Sequence, residues 1–558
     1  MTRRHHRVGR RILAALAAAV GFALFAGPAA AATTAPPAEF GTDWHDPLTA
    51  APPIATPGGP SCTTQIVVAQ FRDFTPYTST YTPPRGCGDR WSKVVLRLDG
   101  KVAGRQYDRL GHLRIGGVEV LDTSTPEPSP EGIAWKVEKD VTRYAAVLRG
   151  PQPVEMLIGN VVDDTYTGVI DVKVSLTFYP ARGAGGGDPA GGAPDQVLTL
   201  AGSHSEGTAL VGDLTTPRNS ERIVAEVYAT GSGGGCEEFW YLAVPADVPY
   251  SCQAGGPYRE VQLRVDGQLA GIAAPFPTVW TGGWSNPFLW YVIPGPRAFD
   301  VKPVEYDLTP YAGLLNDGKA HRVEVSVLGV PAGQSGWSVP TNVLVWQDEH
   351  RAHVPGALTA HQEGIPATST SYVPGDERAL DATGSHSLTV SGYVDTSHGR
   401  VATTVRRALS ATSTHRWNAD ESTDALTARW TDDATVTTAG RGPAASTAVR
   451  RAYTMDGRTS VGAADRLRTV MLLGDRADTV VTRGGRTVGR SLLDDVYQGD
   501  ASFTLNVPRE QRHATGTSSE HYRILGSDGP GAPEGPGGCY DRRIATAQGA
   551  LTEDRTLR

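Results

Sequence analysis

The amino-acid sequence predicts an all-β protein: two tandem jelly-roll or β-sandwich domains, then a third β-rich domain. Three observations predict it. Runs such as QIVVAQF, KVVLRLD and ERIVAEVYA alternate apolar and polar residues with the period of a half-buried strand. The 558 residues include 65 glycines and 40 prolines, while long stretches of helical periodicity are scarce, which favours strands joined by turns. Segments also recur 167 residues apart. VVLRLDGKVAG (94–104) matches VQLRVDGQLAG (261–271) at seven of eleven positions, and EKDVTRYAAVL (138–148) matches EYDLTPYAGLL (305–315) at six. VSLTFY (174–179) falls on TNVLVW (341–346) at the same offset. That spacing is too long for a solenoid or propeller repeat and has the size of a whole domain.

Along the chain, MTRRHHRVGRR is basic, ILAALAAAVGFALFAGP is apolar, and small residues follow, so residues 1–32 read as a secretory signal peptide. Residues 33–60 read as a flexible leader rich in Thr, Ala and Pro. The first domain is expected over 61–180, with strands in HLRIGGVEVL, VEMLIGN and VIDVKVSLTFY. A Gly/Pro-rich linker occupies 181–195. The duplicate domain follows over 196–350, with REVQLRVDG, HRVEVSVLG and TNVLVWQD. After a linker over 351–378, the β-rich accessory domain spans 379–558. There HSLTVSGYVDT and GRVATTVRRALS read as a hairpin turning at Ser397-His398-Gly399.

A net charge of −7, with both signs well mixed, leaves no basic stripe for nucleic acid and no membrane-surface patch. The mature chain is expected to be an extracellular monomer free of the membrane. Secretion favours disulfides over zinc sites or catalytic thiols. Cys62 and Cys87 precede the first copy of the repeated strand, and Cys236 and Cys252 the second, so the simplest pairing is one staple per domain, with Cys539 left over. No Cys-x-x-Cys or His-x-x-x-His cluster occurs, so no metal site is expected.

The two copies differ between their shared strands, where sites can be grafted. The first carries GRQYDRLGHLRIGGVEVL, charged at Arg105, Asp108, Arg109 and Glu119. The second carries GIAAPFPTVWTGGWSNPFLW, crowded with Phe276, Trp280, Trp284, Phe288, Trp290 and Tyr291. Aromatic faces beside glycines suit sugar rings, although such residues also cap β cores. Between Arg105 and Arg109, the Asp108 carboxylate is expected to stay ionised and to be able to activate water; the commoner fate of an Asp–Arg pair is a surface ion pair. Glu127, in TSTPEPSPEG, and Asp163 and Asp164, in NVVDDTYTG, are further candidates. Glu138 and Asp140 recur as Glu305 and Asp307, which suggests turn caps rather than a site.

The runs GRQYDRLGHLRIGGVEVL, GIAWKVEKDVTRY, NVVDDTYTG, CEEFWY, FPTVWTGGWSNPFLW and AFDVKPVEYDLTPYAGLLNDGK together resemble the peptide:N-glycosidase A family, over about residues 40–350. The resemblance implies a glycoamidase without cofactor that hydrolyses the amide joining an N-glycan to Asn, converting Asn to Asp. Tyr107-Asp108-Arg109 is similar to an aromatic-Asp-Arg motif of the more distant peptide:N-glycosidase F, which implies a catalytic Asp108 in a site between two jelly rolls. That enzyme also uses glutamates, one from its second domain; Asp300, Glu237 and Glu238 are the acids here that offer themselves. The expected machinery is Asp108, with Glu127 or Asp163 assisting, Arg105 or Arg109 fixing the carboxylate, and Glu119, Asp164, Trp284, Trp290 and Asp300 contacting substrate. An endo-acting glycosidase and a non-catalytic glycan-binding protein remain the alternatives.

Overall fold

The computed structural model describes residues 40, 43–181, 192–233, 236–282, 286–526 and 539–557. The proposed signal peptide, residues 182–191 of the Gly/Pro-rich linker, and Trp284 fall outside these residues.

Eight strands make the first unit: β1 (Cys62–Phe71), β2 (Tyr77–Tyr81), β3 (Trp91–Val102), β4 (Leu110–Ile115), β5 (Val118–Ser124), β6 (Ile133–Asp140), β7 (Gln152–Ile158) and β8 (Ile170–Pro180). They pair as β1-β8-β3-β6 and β2-β7-β4-β5. Two facing sheets in this order make a jelly roll. The alternation read from the sequence sets which side chains enter between the sheets: in β8, Ile170, Val172, Val174, Leu176 and Phe178 are all buried.

The same order returns in the second unit. Its strands are β9 (Gln196–Thr199), β10 (Ala201–Glu206), β11 (Ala209–Leu214), β12 (Ser220–Val227), β13 (Thr230–Gly231), β14 (Glu260–Val265), β15 (Gln268–Ala273), β16 (Val304–Asp307), β17 (His321–Leu328), β18 (Trp337–Ser338) and β19 (Thr341–Gln347). One sheet runs β9-β19-β12-β16; the other runs β11-β17-β14-β15, extended by β10.

Topology separates true from accidental sequence matches. β6 corresponds to β16 and β8 to β19, as the second and third matches require. Asp140 and Asp307 each accept the N–H two residues on, at 2.8 and 3.0 Å, and so cap equivalent turns. The first match fails. Residues 94–102 run straight through β3, whereas 261–271 fold back as the β14–β15 hairpin, with Asp266 and Gly267 at φ 49° and 82°. The counterpart of that hairpin is β4–β5, which turns at Gly116 and Gly117 (φ 61° and 81°). Asp-Gly stays extended in β3 because the Trp135 ring lies against Gly100, where a Cβ would come within 2.3 Å of it. The Asp-Gly turn signal yields to tertiary packing.

The remainder is one eleven-stranded antiparallel sheet. It comprises β20 (Gly356–Glu363), β21 (Ala367–Val373), β22 (Glu377–Thr396), β23 (Gly399–Asn418), β24 (Thr423–Ala439), β25 (Ala445–Gly462), β26 (Arg466–Arg483), β27 (Arg486–Thr504), β28 (Thr515–Gly526), β29 (Cys539–Ala547) and β30 (Ala550–Thr556). The expected hairpin is β22–β23, closing at Thr396 opposite Gly399. Both expected disulfides form, Cys62–Cys87 and Cys236–Cys252, and Cys539 is free and exposed.

Strand β5 is an edge, yet every residue in it is buried. The second jelly roll covers it: Asn342 Oδ1 accepts the Glu119 N–H (3.0 Å) and its Nδ2 donates to the Glu119 carbonyl (2.8 Å). Ser124 N–H donates to Ala298 O, and Val301 N–H to Asp122 O. Leaving a buried amide unsatisfied costs about 1–3 kcal/mol. Asn342→Ala is therefore expected to destabilise the protein by about 2 kcal/mol, read as a lower denaturant midpoint at unchanged slope.

Candidate functional site

Where β5 ends against the second jelly roll, three carboxyl groups come from separate loops, and Glu127 and Glu238 each feel the charge of Asp108. Asp108 lies between β3 and β4, and Glu127 between β5 and β6. Glu238 lies in a 3-10 turn, Glu237–Leu242, held by the Cys236–Cys252 disulfide.

The loop from β15 to β16 crosses over from the second unit. Thr281 N–H donates to Ser124 Oγ (3.1 Å), and its hydroxyl donates to Thr125 O (2.7 Å). This fixes the next residue, whose N–H donates to Asp108 Oδ2 at 2.9 Å. That residue is Gly282: a Cβ there would lie 3.1 Å from Asp108 Oδ2 and 3.7 Å from Glu127 Oε1. A side chain would enter the space between the two acids.

Burial raises all three acids. Asp108 is pushed up to about 6, chiefly by burial, which outweighs the Gly282 N–H and the nearby Arg109. Glu127 rises to about 8 through burial and the Asp108 charge, against the pull of Arg509, Arg512 and Arg105. Glu238 rises to about 7 through burial and Asp108. The flanking arginines do not hold Asp108 low, because burial outweighs them, but at about 6 it is still a carboxylate at neutral pH. The guanidinium of Arg109 bonds Gln106 Oε1 and lies 5.9 Å from the centre of the Tyr166 ring.

Several candidates have other tasks. Asp163 Oδ1 accepts the Thr165 and Tyr166 N–H groups, both at 2.7 Å, which holds its carboxyl low and fastens the loop that presents Tyr166. Asp164 is exposed beside it. Arg105 lies 5.6 Å from the centre of the same Tyr166 ring. Glu119 is buried at the β5 seam, where Arg114 donates to it at 2.7 Å. Asp300 pairs with Lys139 (3.0 Å) and Lys302 between the two units. Trp290 is 3% exposed and stacks on Tyr497, with ring centres 4.4 Å apart, so neither it nor Glu119 is open to a sugar.

Two features escaped the sequence reading. Tyr107 is 49% exposed, and its ring meets that of Tyr166 at 5.2 Å, giving an aromatic pair beside Asp108. Gln106 ties the strand end to the facing loop, donating to Val161 O (2.8 Å) and Gly168 O (3.1 Å). Tyr107 adjoins the candidate acid and Tyr166 lies in NVVDDTYTG, so aromatics beside acids were the available signal. Glu221, Asp348 and His398 are the described residues that cluster with metal-ligand spacing. Both Asp348 oxygens already accept backbone N–H groups, from His350 and Ser397.

A curated relative from Prunus dulcis, "Peptide-N4-(N-acetyl-beta-glucosaminyl)asparagine amidase A", is 31% identical over 389 residues, covering 63% of this chain and 66% of that protein. The chain thus spans just under two thirds of that relative's length. Among solved structures, "Recombinant peptide: N-glycanase F (PNGase F)" aligns with TM-score 0.35 and 13% identity, over 51% of this chain and 96% of that one. "Structure of PNGF-II in P21 space group" aligns with TM-score 0.35 and 14% identity, over 51% and 66%. The family model described as Peptide N-acetyl-beta-D-glucosaminyl asparaginase amidase A matches residues 52–364, and the chain belongs to that family.

Proposed function

We propose that this protein is a secreted glycoamidase: it hydrolyses the amide between an N-glycan and Asn, leaving Asp on the peptide and releasing the glycan as a glycosylamine. The observation that carries this reading is the set of raised carboxyls gathered about Asp108, contributed by both jelly rolls. Family membership supports the reaction class. The apolar and small-residue pattern of residues 1–32 supports secretion.

Amide hydrolysis needs a group to take a proton from water and a group to give one to the leaving nitrogen. Neighbouring acids whose proton affinities are pushed apart supply both. Between about 6 and about 8, Asp108 is a carboxylate and Glu127 a carboxylic acid. Asp108 takes the proton as the water oxygen bonds to the amide carbon. The C–N bond then breaks, and Glu127 protonates the departing amine. Glu238 faces the same space and bonds the sugar adjoining the reacting amide. Tyr107 and Tyr166 pack against that sugar, and Arg105 and Arg109 against its hydroxyls.

Mass spectrometry of a defined N-glycopeptide tests the reaction. Peptide bearing Asp at the former Asn supports it; peptide keeping one N-acetylglucosamine on Asn shows an endoglycosidase instead. Unaltered glycopeptide that still binds shows a lectin-like protein. The profile of kcat/KM against pH is expected to be a bell. It falls below about 6, where Asp108 gains a proton, and above about 8, where Glu127 has lost its own. The limbs belong to the coupled pair rather than to either acid alone. Asp108→Asn is expected to lower kcat by about 10²–10⁴-fold while the melting temperature holds. Gly282→Ala, which puts a methyl 3.1 Å from Asp108 Oδ2, is expected to lower kcat by about tenfold and to move the acid limb to higher pH.

A further inference from the structure

The eleven-stranded sheet carries no motif that suggested chemistry, yet one face of β27 meets the loop that reaches Asp108. Its residues 497, 499, 501 and 503 share a face, as the two-residue period of a strand dictates. Each touches the short turn just beyond Gly282. Tyr497 Oη donates to Leu289 O at 2.7 Å, and its ring stacks on Trp290. Gly499 makes room for Leu289, whose Cδ2 would lie 2.7 Å from a Cβ there. Ala501 O accepts from Asn286 Nδ2 at 3.0 Å, and Phe503 meets Phe288 with ring centres 5.4 Å apart. Asn286 is fully buried, and its Oδ1 also accepts the Phe288 N–H, so it caps the 3-10 turn Pro287–Leu289 while tying that turn to β27.

The far side of the loop is anchored on the first jelly roll through Thr281. Three residues separate Gly282 from Asn286. We propose that this face of β27 is a working part of the active site, with Tyr497 and Asn286 as positioning residues that hold the Gly282 N–H on Asp108. The sheet thereby acts on the reacting carboxylate without touching substrate. The same sheet brings Arg509 and Arg512 toward Glu127 on the loop after β27. That loop is pinned by Arg466, which donates to Arg512 O at 3.1 Å, and by the Phe40 N–H, which donates to Ala514 O at 2.7 Å.

The proposal deepens the amidase reading, and its test has an arm that does not depend on that reading. Tyr497→Phe removes a single O–H and keeps the stacked ring. Asn286→Ser keeps a capping oxygen but loses the amide bridge to Ala501. His361→Leu is the matched control: it deletes another 2.7 Å bond from the sheet to a carbonyl of the second jelly roll, Leu269 O, away from this loop. In the full chain, Tyr497→Phe and Asn286→Ser are each expected to lower kcat about tenfold at unchanged KM. They should also move the titration of Asp108, followed by carboxyl ¹³C NMR and assigned with Asp108→Asn, to higher pH. His361→Leu should lower the melting temperature and leave both readouts alone. If the two loop variants melt earlier but titrate and turn over as wild type does, β27 is packing only and the proposal falls. If the wild type leaves glycopeptides intact, the amidase reading falls, and the titration still decides whether β27 positions the loop. If one loop variant does not fold, the other decides.

Discussion

The hydrogen-bonding edge of β5, which no strand pairs, is the constraint on which the arrangement depends. An unpaired strand edge presents N–H and C=O groups that must be satisfied or left to water. Here the second jelly roll satisfies them through Asn342, Ala298 and Val301. Once those bonds form, the two units have one relative position. The end of β5 then delivers Ser124 and Thr125 to the Thr281 loop, and that loop delivers the Gly282 N–H to Asp108. Beside this seam a polar network adds specificity: Lys139 donates to Tyr228 Oη, Tyr228 meets Tyr144, and Tyr144 donates to Glu226, which Arg143 pairs at 2.7 Å. Such a network is stabilising only while each member keeps its partner, which ties the integrity of the site to that of the interface.

The site spends part of the stability this interface supplies. Three carboxyls that would be ionised in water are partly dried, two of them within electrostatic reach of the third, and each is raised toward neutrality. A group whose folded pKa is raised favours folding when protonated, so the contribution of Asp108, Glu127 and Glu238 to stability declines as pH rises past their unfolded values. Several other buried acids are paired with arginine. Glu237, the immediate neighbour of Glu238, is buried against Arg259 at 2.7 Å, and Asp432 against Arg407 at 2.6 Å. Raised acids also occur elsewhere, at Asp495 and Glu520 in the long sheet, so what distinguishes Asp108, Glu127 and Glu238 is that they come from loops of both jelly rolls.

Much of this was legible in residue order. Alternating runs located the strands, the placement of four cysteines anticipated both disulfides, and recurring Glu138–Asp140 and Glu305–Asp307 marked equivalent turns. The match with the most identities misled, because short strand-like text fits many strands of a β protein. LRLDG extends through β3 under Trp135, and LRVDG turns back after β14. Glu119, Asp300 and Trp290 looked like site residues because charge and aromaticity do not reveal what lies opposite. Arg114, Lys139 and Tyr497 do lie opposite, and they engage those groups at interfaces.

By itself the sequence determined the elements: their period, the staples, and the loops that carry Asp108, Glu127, Glu238 and Gly282. Period and spacing are local properties, set by backbone geometry and by nearby residues. Tertiary structure alone decided which loops meet. Asp108 and Gly282 are 174 residues apart, and Asn286 and Ala501 are 215 apart. Such contacts follow from the covering of one strand edge and the docking of one long sheet, both of which arise when distant surfaces exclude water together. The same burial raised the acids, so their chemistry, unlike their positions in the chain, was written only in the fold.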